Sequence, residues 1–391
     1  MSFPFQTNHP TIKYFDTAAT CQLPESVIAA QHAYWEHAHA NAHRGSHQLA
    51  SAATDVWEGC RQQVATHLQV EMENISLQTS STQALNLLAL GLEGTVSAGQ
   101  NVVVSAAEHH ANWLPWQRLC QRRGAEFRVI PVAADTGELR NPTAYIDSNT
   151  ALVAVSAASN VSGVVFDLAP LLSRASAAGA VTIVDGAQLA AHLDNGIATE
   201  NVDAWVFSGH KCYGPTGIAG LYLSARMQRR LVPVILGGGM VESVTTDSFQ
   251  AVSDIRRFEA GTPNVVAAAG LTAALQWLAK QPKQQQRLHG FRQQLYDAIN
   301  NIAGSHILAP TAQHTLPLLS ATFAGVHPQE LAWALDQQGF AVRAGSHCAQ
   351  PLMQHWQLSG CIRIAPGLHN SADEVSALAA ALSVVVDILR G

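Results

Sequence analysis

AVTIVDGAQ at 180–188 and DAWVFSGHK at 203–211 decide the reading of this chain. Each is an apolar, strand-length run that ends abruptly in small and polar residues. In open α/β sheets, ligands bind beyond the carboxyl ends of the strands. Asp185 and Gln188 follow the first run, and Ser208, His210 and Lys211 close the second, so all five stand at strand mouths. A carboxylate and a lysine at two mouths of one sheet suit an enzyme that holds pyridoxal phosphate. The lysine would form the Schiff base, and the aspartate would keep the pyridine nitrogen protonated so that the ring can accept electrons. Either residue alone reads as a surface lysine or a turn aspartate; the pair, with the segments around it, points to the cofactor.

Working outward, NVVVSA (101–106), EFRVIPV (126–132), TALVAVSA (150–157) and IAGLYLS (218–224) are further short runs rich in valine and isoleucine. Helical stretches lie between several of them, at 112–124 and 168–180. Continuous apolar strands alternating with helices predict an α/β domain with a mostly parallel sheet covered on both faces. Past LGGGMVES (236–243) the pattern changes: helices at 265–280 and 284–303, a strand at 316–323, a helix at 328–338, short strands FAVRA (340–344) and CIRIA (361–365), and a final helix. The chain therefore divides into a large domain, 16–264, and a smaller α+β domain, 265–391, with the N-terminal arm 1–15 expected on the latter.

With 391 residues, 48% hydrophobic and 13% charged, the chain is long enough for two domains with a large core. A net charge of −6 and the lack of any long basic run exclude nucleic acid as a partner. MSFPFQTNHP does not read as a signal peptide. The longest apolar stretch, 377–389, is too short and too interrupted for a membrane span. Six scattered cysteines without a CxxC pair point to free thiols and a cytoplasmic protein. His32, His37, His39, His43 and His47 lack a carboxylate or cysteine partner set and read as a polar, partly buried cluster rather than a metal site.

Three segments bear on chemistry. QTSSTQALNLLALGL (78–92) sets Ser80, Ser81 and Thr82 at a helix start, where hydroxyls and free N–H groups suit a phosphate; ordinary capping would use the same residues. SAAEHHANWLPW (105–116) presents His109 and His110 at a strand mouth, where a histidine can stack on a flat cofactor and shuttle protons near neutral pH. Asn160, in SNVSG, could orient substrate or simply drive a turn. VRAGSHCAQPL (342–352) places Cys348 in a loop beside Arg343 and His347, positive neighbours that would lower a thiol's pKa. The loop is short, so Cys348 should stay near the pocket, shielded from bulk reductant. Arg363, inside CIRIA, is odd for a core strand and well made to grip a carboxylate bidentately. SGHK also satisfies S-x-x-K, but no K-T-G accompanies it, and there is neither a Walker P-loop nor a GxGxxG after a strand.

With YFDTAAT (14–20), HRGSH (43–47), RFEAGTPN (257–264) and the segments above in order, the chain resembles fold-type I pyridoxal-phosphate enzymes of the class V aminotransferase group. Within that group it is similar to the cysteine desulfurases of the Suf and Csd type, and R-A-G-x-H-C is the specific motif. The resemblance implies that Lys211 carries the Schiff base, Asp185 pairs with the pyridine nitrogen, Gln188 contacts the ring hydroxyl and His109 stacks on the ring. Ser81, Thr82, Ser208 and His210 would hold the phosphate. Thr262 would reach the phosphate of a second subunit, which implies a homodimer. Arg363, with Arg343 and Asn160, would bind the carboxylate of L-cysteine, and Cys348 would take its sulfur for a sulfur-acceptor protein. The chain departs from the group at 79–82, where T-S-S-T replaces R-G-T-T and Gln83 replaces glutamate. Selenocysteine lyase or another class V aminotransferase are the alternative enzymes, and a non-enzymatic scaffold that binds the acceptor is the alternative outside catalysis.

Overall fold

The computed structural model describes residues 2–43 and 45–391, so Arg44 of the HRGSH segment lies outside the described residues. Seven strands form the central sheet: β1 (Ile75–Gln78), β2 (Asn101–Ser105), β3 (Glu126–Ile130), β4 (Thr150–Ser156), β5 (Val181–Asp185), β6 (Ala204–Ser208) and β7 (Ala219–Leu223). They lie in the order β1-β7-β6-β5-β4-β2-β3. β2 to β6 are mutually parallel, and β7 runs against both of its neighbours. Period-two alternation divides the side chains between two cores. Val102 and Val104 pack with Leu85, Leu88 and Trp116 on one face. Val103 packs with Val64, Leu68, Leu171 and Leu271 on the other. Covered on both faces, the strands read in sequence as continuous apolar runs.

Four antiparallel strands make a second sheet: β8 (Ser305–Ile307), β9 (Leu319–Phe323), β10 (Arg343–Gly345) and β11 (Cys361–Ile364), in the order β8-β9-β11-β10. The closing helix, Ala372–Arg390, starts with a capping box in which Ser371 and Glu374 satisfy each other's backbone N–H groups.

Three expectations change. FAVRA is not one strand: Phe340–Ala341 pairs with Lys13–Tyr14 of the N-terminal arm, while Arg343–Gly345 pairs with β11. The short strand β1, only four residues long, and a largely exposed hairpin, Val241–Val244 with Phe249–Ala251, were not read from the sequence. The five N-terminal histidines are all exposed rather than partly buried, on or beside the helices Glu25–His37 and Gln48–Leu68.

Candidate active site

The parallel register aligns the strand mouths. Ser156 at the end of β4 stands opposite Asp185 at the end of β5, and Asp185 stands opposite Val206 of β6. Just beyond, Gly209–Lys211 forms a single 3-10 turn that directs Lys211 back toward the sheet end. Gly186 lets the chain leave β5 this way, because a Cβ there would lie 1.8 Å from the Trp205 ring.

These residues open onto one cavity of about 260 Å³, lined by Ser81, Thr82, His109, Asn160, Asp185, Gln188, Ser208, His210, Lys211, Arg343, Cys348 and Arg363. Apart from Thr262 and His110, the sequence-derived site residues are therefore brought together. Thr262 lines a separate cavity of about 400 Å³ with His43, Trp57, Gly239 and Glu259.

Burial sets the electrostatics. It depresses the Lys211 ammonium pKa, and Asp185 opposes that shift. It raises the Asp185 pKa, which is held back by the Ala187 N–H (2.9 Å from Oδ1) and by Lys211. Burial and the Lys211 charge together bring His109 down to about 4. His109 Nδ1 accepts from Ala111 N at 3.1 Å, which leaves the ring proton on Nε2. A ring that is neutral at pH 7 suits stacking on a flat cofactor. His210 is likewise depressed to about 4, mainly by burial.

At the other end of the cavity, the helix Ser81–Gly91 points its N-terminus inward with Ser80 as N-cap, its hydroxyl accepting from Gln83 N at 3.1 Å. Ser80 takes the position of the group's glycine with φ −162°, extended backbone open to any residue, so the replacement introduces no strain. Gln83 reaches back to accept from Thr79 N at 3.1 Å. Ser208 Oγ accepts from Ser81 N and donates to Ser81 Oγ, both at 2.8 Å, joining β6 to the helix start.

The thiol loop is pinned. Asn160 Nδ2 donates to the His347 carbonyl at 2.7 Å, and His110 N donates to the Cys348 carbonyl at 2.8 Å. His347 and Cys348 both have positive φ, 53° and 56°, a conformation that costs non-glycine residues about 1–2 kcal/mol each. The hydrogen bonds to their carbonyls hold them there. Two expectations about this loop fail. Burial lowers His347 to about 3, so it is neutral and adds no positive charge beside the thiol, while Arg343 is paired with Asp16 at 2.9 Å. Nor is Cys348 shielded, since it is exposed at the cavity rim while the other five cysteines are buried.

Asn160 and Gln188 spend donors on the backbone, Gln188 Nε2 giving to the Ala18 carbonyl at 3.0 Å, while Asn160 Oδ1 is buried with no partner among the described residues. Two acidic residues had no role in the sequence reading. Asp16, carried in YFDTAAT, joins Arg343 and Arg363. Glu108, in AEHHAN, is fully buried and accepts from Ser105 Oγ (2.5 Å), Asn112 Nδ2 (2.6 Å), and Ser156 N and Oγ (2.9 and 2.6 Å), tying the ends of β2 and β4 together. A glutamate immediately before the strand-mouth histidines was the available signal.

Residues 13–378 match the family model described as aminotransferase class-V. A probable cysteine desulfurase of Vibrio cholerae is 39% identical over 388 residues, 98% of this chain and 95% of that protein. A cysteine desulfurase of Pectobacterium carotovorum is 33% identical over 390 residues, 98% and 95% of the two chains. Among solved structures, an apo cysteine desulfurase from Thermococcus onnurineus superposes with a TM-score of 0.93 at 31% identity, covering 98% and 96% of the two chains. The cysteine desulfurase CsdA of Escherichia coli, in an S-sulfonic acid form, superposes with 0.88 at 32% identity, covering 99% and 100%.

Proposed function

The chain belongs to the aminotransferase class-V family, and from that premise we propose that it is a cysteine desulfurase, converting L-cysteine to L-alanine while Cys348 takes the sulfur as a persulfide. One observation carries the reading: a single cavity gathers a partly buried lysine, a buried carboxylate, two arginines and an exposed thiol. An ordinary aminotransferase would have no use for that thiol. The overall reaction balances without an external oxidant. The Cys348 sulfur bonds to the substrate sulfur, the substrate C–S bond breaks with its electron pair left on carbon, and a proton fills that position to give the methyl group of alanine.

The residues fit pyridoxal phosphate as the cofactor. A partly buried amine and a buried carboxylate share the cavity, and a helix N-terminus with Ser81 and Thr82 faces it beside Ser208 and His210. That set matches a flat molecule with an aldehyde, a basic ring nitrogen and a phosphate. When bound, the cofactor supplies an electron sink for negative charge at the substrate Cα. Lys211 would hold it covalently, and the burial that depresses the lysine's pKa also enlarges the fraction of neutral amine available to accept the Cα proton. Asp185 would face the ring nitrogen, Gln188 the ring hydroxyl, and His109 would lie against the ring. Arg363, beside Arg343 and Asn160, would grip the substrate carboxylate and so fix the distance from its sulfur to Cys348.

The lysine comes from the 16–264 unit and the thiol from the 265–391 unit, so the site belongs to both. Thr262, confined to its own cavity, supports a homodimer in which it serves the second subunit. No helix among the described residues is long and apolar enough to cross a membrane, and six free cysteines fit a reducing, cytoplasmic setting. A sulfur-acceptor protein would discharge the persulfide at the exposed rim. The test is to incubate the purified protein with L-cysteine and quantify alanine and released sulfide together. Alanine with stoichiometric sulfide under a thiol reductant is expected; cysteine consumed without alanine would overturn the reading.

A further inference from the structure

Arg343 and Arg363 are direct partners across the antiparallel pair β10–β11, and both face the cavity. Like charges in directly opposed positions destabilise a sheet, and Arg363 is only 3% exposed, where an unpaired cation would be costly. The arrangement therefore needs a counter-charge, and the chain supplies one from its far end. Asp16 Oδ2 accepts from Arg343 Nε at 2.9 Å, and Oδ1 accepts from Arg363 Nη2 at 3.0 Å.

The placement of Asp16 is built by the backbone. Phe15 N donates to the Ala341 carbonyl and Ala365 N to the Phe15 carbonyl, both at 2.8 Å, and Thr17 N donates to the Ala365 carbonyl at 3.2 Å. The residues flanking Asp16 are thus laced to the two segments that carry the arginines. Asp16 itself is buried and does not line the cavity. Arg363 Nη1 donates to the Asn160 carbonyl at 2.9 Å, and its buried Nε has no partner among the described residues. Two positive groups and one negative leave a single net positive charge, which one α-carboxylate would neutralise.

We infer that Asp16 is a positioning residue for the substrate carboxylate: it holds Arg343 and Arg363 side by side and sets the net charge they present. This rests on the proposed reading of Arg363 as the carboxylate grip. Because Asp16 is buried and does not line the cavity, its loss should weaken binding by disorienting the arginines, not strengthen it by removing a competitor.

The experiment compares Asp16→Asn and Asp16→Glu holoenzymes with wild type in steady-state turnover of L-cysteine, titration with the product L-alanine, and thermal unfolding. For Asp16→Asn, KM for cysteine and the alanine dissociation constant should both rise about tenfold with kcat within about twofold, as expected on losing a charge-assisted contact used equally before and during the reaction. Asp16→Glu, which keeps the charge but shifts it by one methylene, should fall between. If Asp16→Asn does not yield folded protein, a raised KM at constant kcat in Asp16→Glu carries the test. Unchanged KM, tighter alanine binding, or a fall in kcat alone would each overturn the inference. Arg363→Lys separates the two readings. If it leaves alanine affinity unchanged, the carboxylate assignment itself fails; if it weakens alanine while Asp16→Asn does not, only the role of Asp16 fails.

Discussion

Arg61→Met should be among the most destabilising substitutions outside the cavity, and its size follows from what surrounds the guanidinium. Arg61 is 2% exposed. Its Nη1 and Nη2 meet Glu259 Oε1 and Oε2 at 2.6 and 2.9 Å, Nε meets Glu58 at 2.8 Å, and Nη1 also donates to the Ile75 carbonyl at 2.8 Å. Glu259 in turn accepts from Leu77 N at 2.7 Å. The cluster ties the helix Gln48–Leu68 to β1 and to the segment that leads to Thr262. Removing the arginine leaves a buried glutamate without its main counter-charge, a loss of about 3–5 kcal/mol. With an unfolding entropy of about 2.1 cal/mol/K per residue, the 391-residue chain should lose about 4–6 °C in Tm. Replacing both partners, as Arg61→Met with Glu259→Leu, removes the stranded charge and should recover more than half of that. Calorimetry on the four members of the cycle, with bound cofactor quantified in each, is the assay. A shift below about 1 °C for Arg61→Met, or a double variant as damaged as the sum of the singles, would refute the reasoning.

Lys211→Ala should abolish covalent retention of pyridoxal phosphate; borohydride reduction and peptide mapping check this, and an adduct on another lysine would remove the assignment. Cys348→Ser should keep the cofactor and lose alanine release from cysteine, because a hydroxyl stays protonated and attacks sulfur poorly. In the wild type, rapid-quench assays should give a burst of about one alanine per site, then a slow phase. Because Cys348 is exposed, that phase should quicken with a small thiol as well as with an acceptor protein; a linear course from the start would count against persulfide removal as the slow step. Glu108→Gln tests the buried carboxylate. Burial raises Glu108 from 4.5 to about 7 against the pull of its donors. The folded state then binds the extra proton between those values, so wild-type stability falls as pH rises through that window. The amide does not titrate, so the stability of the variant relative to wild type should climb from pH 4.5 to 7; a flat difference would show that Glu108 is ionised throughout.

Much of this protein was legible in its sequence because strand-mouth chemistry is local. An apolar run that stops at Asp185 or Ser208 announces both a buried strand and a polar group at its end, and parallel strands then place those ends together. Hence Lys211, Asp185, Asn160 and the start of the helix Ser81–Gly91 could be named before their contacts were known. Loop chemistry was less legible. Arg343 and His347 are neighbours of Cys348 in the chain, yet a guanidinium's effect depends on what it pairs with and an imidazole's on how deeply it is buried. Asp16, 327 residues from Arg343, took the first, and burial neutralised the second.

The order of apolar runs and motif residues was enough, by itself, to determine an α/β chain with a mostly parallel sheet and a lysine–aspartate–cysteine set, since each is written in consecutive residues. Tertiary structure alone decided the charge of the site. The Arg343–Asp16–Arg363 triad, the four donors on Glu108 and the Arg61–Glu259 pair each join residues distant in sequence or on different strands. Coulombic and desolvation energies depend on distance and burial in space, and neither quantity is written in the linear order of the chain.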